Sequence, residues 1–523
     1  MTVRDQGSAS VEDVVTRDLA PRRGAGVARS SARKPVPHPT VAERKAKGRT
    51  ARETVPREQL AAWQAPADRT NPVTLLVAQE KSRVQELVPV RHARMSTSAF
   101  AFYRGSAAVM AADLAAMPRS GLDAQLCGDA HLANFGLFAA PDRSVVFDVN
   151  DFDETLPGPF EWDVKRLATS FVLAARDNGL PARVGEDAAE AACAAYREAM
   201  SVFAGLREVD IWYDRIDVTA LTPALTQTAG GGKSKTGKER AREEAVIEGA
   251  LAKARSRDAW SAIAKITEVV DGQRRFRDQP PLLTRLAVTD DVRATINDLF
   301  RDYRATLQDD RQDLLKRYAI IDMGHKVVGV GSVGLLAFVL LLRGRDEDDL
   351  MVLQVKQAQA SVLEAYTRKS VYRKHGHRVV TGQRLMQAAS DSFLGWLDAP
   401  GGRSFYVRQL RDMKWSPEPA SLTARSLPKY ARLCGHTLAR GHARSGDAVA
   451  LAAYLGKGRA FDKAVAAFSA AYADQVEADF DTFTAALADG TIVAHEDESG
   501  AEGRTAARLI AAPDLTAQVN REK

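Results

Sequence analysis

Apolar residues recur at helical spacing along most of this chain, and two stretches of strand-like alternation interrupt them. The amphipathic pattern begins near Leu75. Residues 95–117 predict a helix entered through a Ser/Thr cluster, with Phe100, Tyr103 and Met110 on one face and an interruption at Arg104 and Gly105. Residues 124–127, 134–139 and 144–149 read as three short strands, the last two joined by a turn at Pro141-Asp142-Arg143-Ser144. After a break at Pro157-Gly158-Pro159, a helix is expected from Phe160 to a closing Gly179, and an Ala-rich one over 184–206. A charged helix over 238–256 and mixed helix over 257–320, broken at Pro280-Pro281, follow.

The second alternating region starts at Lys326. An apolar run over 335–342 fits a strand or a helix, and 350–356 reads as a strand ending in Lys356. Residues 358–390 predict helix with a break at His375-Gly376-His377. Residues 391–397 and 404–410 predict two strands around a Pro-Gly-Gly turn. Helices are expected over 427–444, about 446–456 and 461–488, and there is no internal repeat.

A chain of 523 residues with 45% apolar content exceeds one ordinary core. The pI of 9.1 suggests an anionic partner until the charges are located. Residues 1–60 hold 13 Lys+Arg against 7 Asp+Glu, while the remainder holds 60 of each. The basicity therefore belongs to a tail rich in Arg, Ala, Pro, Ser and Thr, for which disorder is expected. Contact of this tail with nucleic acid is the alternative to a solvated arm. Cys127, Cys193 and Cys434 are too few and too far apart for a disulfide framework or a zinc site. With no secretory h-region and no run long enough to span a bilayer, a cytoplasmic protein without membrane contact is expected.

Candidate chemistry concentrates in Gly128-Asp129-Ala130-His131-Leu132-Ala133-Asn134 and in Asp148-Val149-Asn150-Asp151-Phe152-Asp153-Glu154. Dense acids need partners, and carboxylates with an amide oxygen suit magnesium bound together with phosphate oxygens. Phosphoryl transfer needs a carboxylate beside the incoming hydroxyl, which Asp129 can supply, and a metal ligand, which Asn134 can supply. His131 orients the loop or contacts substrate, or is simply structural. Asp148, Asp151 and Asp153 compete for the main metal role; strand alternation sets Asp151 and Asp148 on opposite faces, and Asp151 is favoured. A polar turn after a strand explains at least one of them equally well. Arg104 can reach a phosphate, but reads first as a surface arginine on a helix. No serine lies in a Gly-x-Ser-x-Gly elbow.

Gly329, Gly331 and Gly334 form Gly-x-Gly-x-x-Gly, with Ser332 inside it. Between two strands this covers nucleotide phosphates; before a helix it would mark a dinucleotide fold. Lys356, one hairpin downstream, favours the first reading, as a phosphate anchor. Glu364 can pair with Lys356, with Gln383 as its rival. The basic stretch 228–238 lacks the first glycine of a P-loop and reads as a loop.

Together these residues resemble the protein-kinase-like superfamily, in its aminoglycoside phosphotransferase-like branch. Gly128 to Asn134 is similar to that branch's Gly-Asp-x-His-x-x-x-Asn catalytic loop, Asp151 to its metal-binding aspartate and Trp162-Asp163 to a following aromatic-Asp pair. GDAHLANFG, NDFDE, FEWDVKRLA and VVGVGSVG also look like a bacterial domain-of-unknown-function family near those kinases, over residues 90–450. In ordinary kinases the glycine loop precedes the catalytic loop. Here it follows, and 433–445 looks like the helix normally before the catalytic loop, so a circular permutation is inferred.

The resemblance implies an α+β, two-lobed protein-kinase-like fold, circularly permuted. A mainly helical large lobe over 75–320 is completed by helices over 420–490, and a small antiparallel β lobe spans 321–415. A disordered tail over 1–60 and a loose tail over 494–523 flank them. The function implied is phosphoryl transfer dependent on ATP and Mg²⁺, with catalytic Asp129 and His131. Nucleotide contacts would come from Gly329, Gly331, Ser332, Gly334, Lys356 and Glu364, and metal ligands from Asn134, Asp151, Asp153 and Asp148. The acceptor is an unidentified hydroxyl on a small molecule or a protein. The alternatives are a non-catalytic ATP-binding, pseudokinase-like module and a Rossmann-type oxidoreductase.

Overall fold

The computed structural model describes residues 38–218, 259–280, 283–286, 290–326, 333–410 and 415–495. The chain divides into Met1–Thr40, of which only the last three residues are described, and Val41–Lys523, to which everything below belongs. The fold is mixed α+β, and every strand pairing in its sheets is antiparallel.

Of the stretch over 1–60 expected to be disordered, the residues from Val41 onward are folded. Val41–Thr54 forms a helix (α1) that lies along Ala448–Leu455. Just after it, the Tyr454 hydroxyl donates to the Val55 carbonyl at 3.1 Å, and Arg57 Nη1 donates to the Leu455 carbonyl at 2.8 Å. The tail's expected disorder was inferred from its composition, but these long-range polar contacts tie its last third down. The helix expected over 95–117 is two helices. Ala99–Gly105 (α2) is capped by Ser98 Oγ accepting from the Ala101 N–H, and Ala107–Ala115 follows after a bend at Ser106.

Asp123–Leu126 (β1), Phe135–Ala139 (β2), Val145–Val149 (β3) and Leu156–Pro159 (β4) then form two pairs. β2 and β3 make a hairpin in which Phe135 lies opposite Val149, and β1 pairs with β4. Phe160–Asp177 (α3) follows without a loop, and its first 16 residues are all buried. Such a helix must be enclosed. Ala182–Phe203 (α4) packs on it, and Ile216–Asp217 (β5) adds a short edge to β3.

The stretch over 257–320 contains more than helix. Ala259–Ile266 leads into a hairpin of Thr267–Val270 (β6) and Gln273–Phe276 (β7). Its turn is Asp271-Gly272, with φ of 51° and 73°, the backbone a tight two-residue hairpin requires. The Asp-Gly between β-branched and aromatic residues carried that signal.

Leu283–Arg285 (β8), Ala319–Lys326 (β9), Ala337–Arg343 (β10), Leu350–Ala358 (β11), Gly395–Ala399 (β12) and Arg403–Gln409 (β13) form a six-stranded sheet in the order β12-β13-β11-β10-β9-β8. The apolar run over 335–342 is thus strand. Phe338, Leu340 and Leu342 feed one core cluster, and Val339 and Leu341 another on the opposite face. A strand buried on both faces reads as continuously apolar, which is why its periodicity was ambiguous. The dinucleotide reading needs a helix here, so it lapses.

His375–Met386 (α5) begins where a helix break was expected, and 366–374 is not helical. That stretch has Arg368, Lys369, Arg373 and Lys374 but no apolar stripe to bury. Leu427–Ser445 (α6) and Ala460–Ala488 (α7) complete the helical body around α3 and α4. Residues 238–256, the basic stretch 228–238 and the end of the chain from 496 lie outside the described residues. Among the described residues no helix is long and apolar enough to cross a membrane. All three cysteines are buried and free.

One planar fork ties α7 to the N-terminal side. Arg69 Nε and Nη2 donate to Asp113 at 2.8 Å each, and Nη1 and Nη2 donate to Asp479 at 2.7 and 2.6 Å. Both acids are nearly inaccessible. Arg69→Met leaves two buried carboxylates without their cation, and a loss of about 3–5 kcal/mol is expected in urea unfolding. Arg69→Lys keeps the charge but not the fork, and falls between.

Candidate functional site

The loop that carries Asp129 is held by one stripe of α3. Asp163, Arg166 and Ser170 stand at spacings that share a helix face. Asp163 accepts from the N–H groups of Cys127 at 2.8 Å and Gly128 at 3.0 Å. Arg166 Nε donates to Asp129 Oδ1 at 2.6 Å, and Ser170 Oγ accepts from the Leu132 N–H at 2.9 Å. From α6, His442 Nε2 lies 3.2 Å from Asp163, and the Tyr430 hydroxyl lies 2.9 Å from the Leu132 carbonyl. Gly128 has φ +83°, and a Cβ there would come within 2.3 Å of the Glu154 carbonyl oxygen, so the loop passes against the acidic segment only as glycine.

Asp129 keeps about a fifth of its side chain exposed. Burial raises its pKa, and the Arg166 guanidinium pulls the other way. His131 Nε2 sits 3.6 Å from Asp129 Oδ2, while Nδ1 is buried without a partner. Burial, with Arg104 and Arg166 nearby, drives the imidazole far below its ordinary pKa, so it is neutral. Asn134 Nδ2 donates to the Asp129 carbonyl at 2.7 Å, which fixes the amide and leaves Oδ1 as its acceptor atom. The Asn150 N–H donates to the Asn134 carbonyl at 2.8 Å, setting Asn134 beside the start of the acidic segment.

The six-stranded sheet answers that segment from the other side. Gln354 and Lys356 on β11 lie opposite Arg408 and Tyr406 on β13, four side chains on one face. Lys356 Nζ pairs with Asp153 Oδ2 and lies 3.7 Å from Asp151 Oδ2. The Tyr406 hydroxyl donates to Asp153 Oδ1 at 2.9 Å, and Arg408 Nη1 donates to the Asn150 carbonyl at 3.2 Å. Burial alone would lower the Lys356 pKa. Asp151 and Asp153 outweigh it and hold the ammonium charged.

α5 fixes the backbone of the same segment. Arg378 donates to the carbonyls of Thr155 at 2.6 Å and of Asp153 and Gln359 at 2.7 Å each. Gln387 Nε2 donates to the Val149 carbonyl at 2.7 Å.

The site residues named from sequence fall into three groups. Asp129, His131, Asn134, Asp151, Asp153 and Lys356 converge. Asp148 points away: it is buried, paired with Arg440 of α6 and capped by the Ala388 N–H at 2.9 Å. Glu364 does not hold Lys356, and Gln383 bonds Gln387 instead; the lysine takes its carboxylates from Asp151 and Asp153. Gly329, Gly331 and Ser332 lie outside the described residues, in the connection between β9 and β10. Gly334 is described. Its carbonyl accepts from the Val84 N–H at 2.9 Å, and buried Arg83 donates to the Val333 carbonyl.

Arg166, Arg378, Tyr406 and Arg408 were missed, and Arg104 is mostly buried rather than a surface residue. The polar stripe of α3 was visible in sequence as Asp163, Arg166 and Ser170 among apolar neighbours. The α5 and β13 contacts left no local signal.

The architecture is therefore an antiparallel sheet bearing a buried, charged lysine, set against the acid-rich loops of a helical body. Residues 83–486 match the family described as "Uncharacterized protein conserved in bacteria (DUF2252)", and the chain belongs to it. No curated protein and no solved structure matches.

Asp163 stabilises two loop N–H groups and faces His442. Asp163→Ala should cost about 2–4 kcal/mol in chemical denaturation, because those donors are buried. Asp163→Asn, which keeps the volume and one acceptor, should cost less.

Proposed function

We propose that this protein is a phosphotransferase that uses a magnesium-bound nucleoside triphosphate, in a permuted protein-kinase-like arrangement, and phosphorylates a hydroxyl acceptor. One observation carries the reading: Lys356 of the sheet meets Asp151 and Asp153 of the acidic segment, next to the loop that holds Asp129 and Asn134. These are the groups such a reaction needs, gathered from positions more than 200 residues apart.

The donor set fits magnesium. Asn134 Oδ1 and the Asp151 carboxylate, a third exposed, are hard oxygens at the same end of the β2–β3 hairpin. Magnesium takes one or two protein oxygens and fills its remaining positions with phosphate and water, so a larger cluster is not required. When bound, it neutralises phosphate charge and polarises the phosphoryl group.

The chain's own groups do the rest. Asp129 orients the acceptor hydroxyl and takes its proton; its raised pKa makes it a better base near neutral pH than an ordinary aspartate. Neutral His131 packs beside it without adding charge. Lys356 moves from carboxylates to phosphate oxygens, while Tyr406 keeps Asp153 in place.

The second reading is a nucleotide-binding module without turnover. It is favoured by Arg166, whose bond to Asp129 opposes the basicity that catalysis needs.

Calorimetry with Mg·ATP tests both. The wild type should bind, and Asp151→Ala and Lys356→Ala should each weaken binding about tenfold or more, the worth of one charge-assisted contact. No binding by the wild type sinks both readings, and binding without turnover leaves the second. If turnover is seen, Arg166→Met should shift the acid limb of its pH profile to higher pH. Removing the guanidinium raises the Asp129 pKa further, and only the carboxylate accepts a proton.

A further inference from the structure

Among the arginines around the acid-rich loops, Arg166, Arg378 and Arg104 differ in their bonding. Arg166 is satisfied by Asp129 and by the Tyr103 carbonyl at 2.8 Å. Arg378 spends its Nη1 and Nη2 groups on three backbone carbonyls, and only its Nε is left without a partner. Arg104, the residue after Tyr103, has no hydrogen-bond partner and no ion pair within 4 Å among the described residues, and its Nε is buried. Its terminal nitrogens are not among the buried atoms, so the half-buried head keeps donors that the protein does not pair and a ligand can take.

Its place is well fixed. α2 packs on the Asp129 loop, with the Phe100 ring 6.4 Å from the His131 ring, and the Tyr103 hydroxyl donates to the Arg166 carbonyl at 2.8 Å. The acids that face Arg104 are Asp129, Asp151 and the exposed Glu418; burial lowers its pKa and all three pull it back. Asp129 and Asp151 also feel one another. α2 thus sets the guanidinium on the side of the acid-rich loops where Asp129 lies.

Resting on the phosphotransfer reading, we propose that Arg104 binds a phosphate-type oxyanion between Asp129 and Asp151. Two sources share that chemistry: the phosphoryl group in transit, and an anionic substituent on the acceptor. In transfer, the bond from phosphorus to the nucleoside diphosphate oxygen breaks and one to the acceptor oxygen forms. The acceptor proton goes to Asp129, and Arg104 keeps its own protons. A planar fork suits two oxygens of the group being moved.

Calorimetry on the full chain separates the sources, with Mg·ATP, Mg·ADP and inorganic phosphate added to the Mg·ADP complex as probes. Arg104→Met is the main variant. Arg104→Gln and Arg104→Lys are read beside it, so that a folded variant decides, with the unfolding midpoint as the check. A loss of about tenfold or more for Mg·ATP alone, partly restored in Arg104→Lys, supports contact with the transferred phosphoryl. Loss of inorganic phosphate binding with both nucleotides unchanged supports contact with an acceptor anion. Folded variants that bind all three probes as the wild type does, or that lose ATP and ADP equally, overturn the proposal while the phosphotransfer reading stands. A wild type that binds no nucleotide overturns both.

Discussion

A buried ammonium needs a counter-charge, and Lys356 finds its own in Asp153 and Asp151. That pairing joins the six-stranded sheet to the acid-rich segment of the helical body. Either side alone would be unstable, with a desolvated cation on one and crowded carboxylates on the other. Tyr406 and Arg408 extend the contact across the neighbouring strand, so the sheet face presents a row of donors to a row of acceptors. A contact made of charges rather than apolar surface can be exchanged for a charged ligand. The phosphotransfer reading depends on this property.

The loops that carry the acids are rigid because helices hold their backbones. α3 grips residues 127–132 through Asp163, Arg166 and Ser170, and α5 grips the acidic segment through Arg378 and Gln387. Loops have few partners of their own, so buried side chains on regular elements must satisfy them. The same arrangement sets electrostatics. Burial raises the Asp129 pKa, Arg166 restrains it, and His131 stays neutral between cations.

Asp148 and Asp151 show how near neighbours diverge. Strand alternation sends one to Arg440 and the core, while the chain leaving β3 carries the other toward Lys356. Three acids in six residues thus split between structure and candidate chemistry, and only Arg440, almost 300 residues away, reveals which is which.

Local patterns determined much by themselves. The β2–β3 hairpin, the start of α3, the strand holding Lys356 and the Pro-Gly-Gly turn follow from alternation, prolines and glycines acting over a few residues. So did the nearness of Asn134 and Asp151, which flank the paired Phe135 and Val149 at one end of the β2–β3 hairpin. Tertiary structure decided the rest. The ambiguous run over 335–342 became a strand because partners exist on both its edges. The helix at 41–54 is held in place by contacts some 400 residues distant in the chain. Lys356 took the carboxylates of Asp151 and Asp153 rather than Glu364 nearby, and Arg104 came to rest half-buried among acids. Periodicity reports how a residue faces its own element. Which charge it meets depends on segments far along the chain, and no local pattern records that.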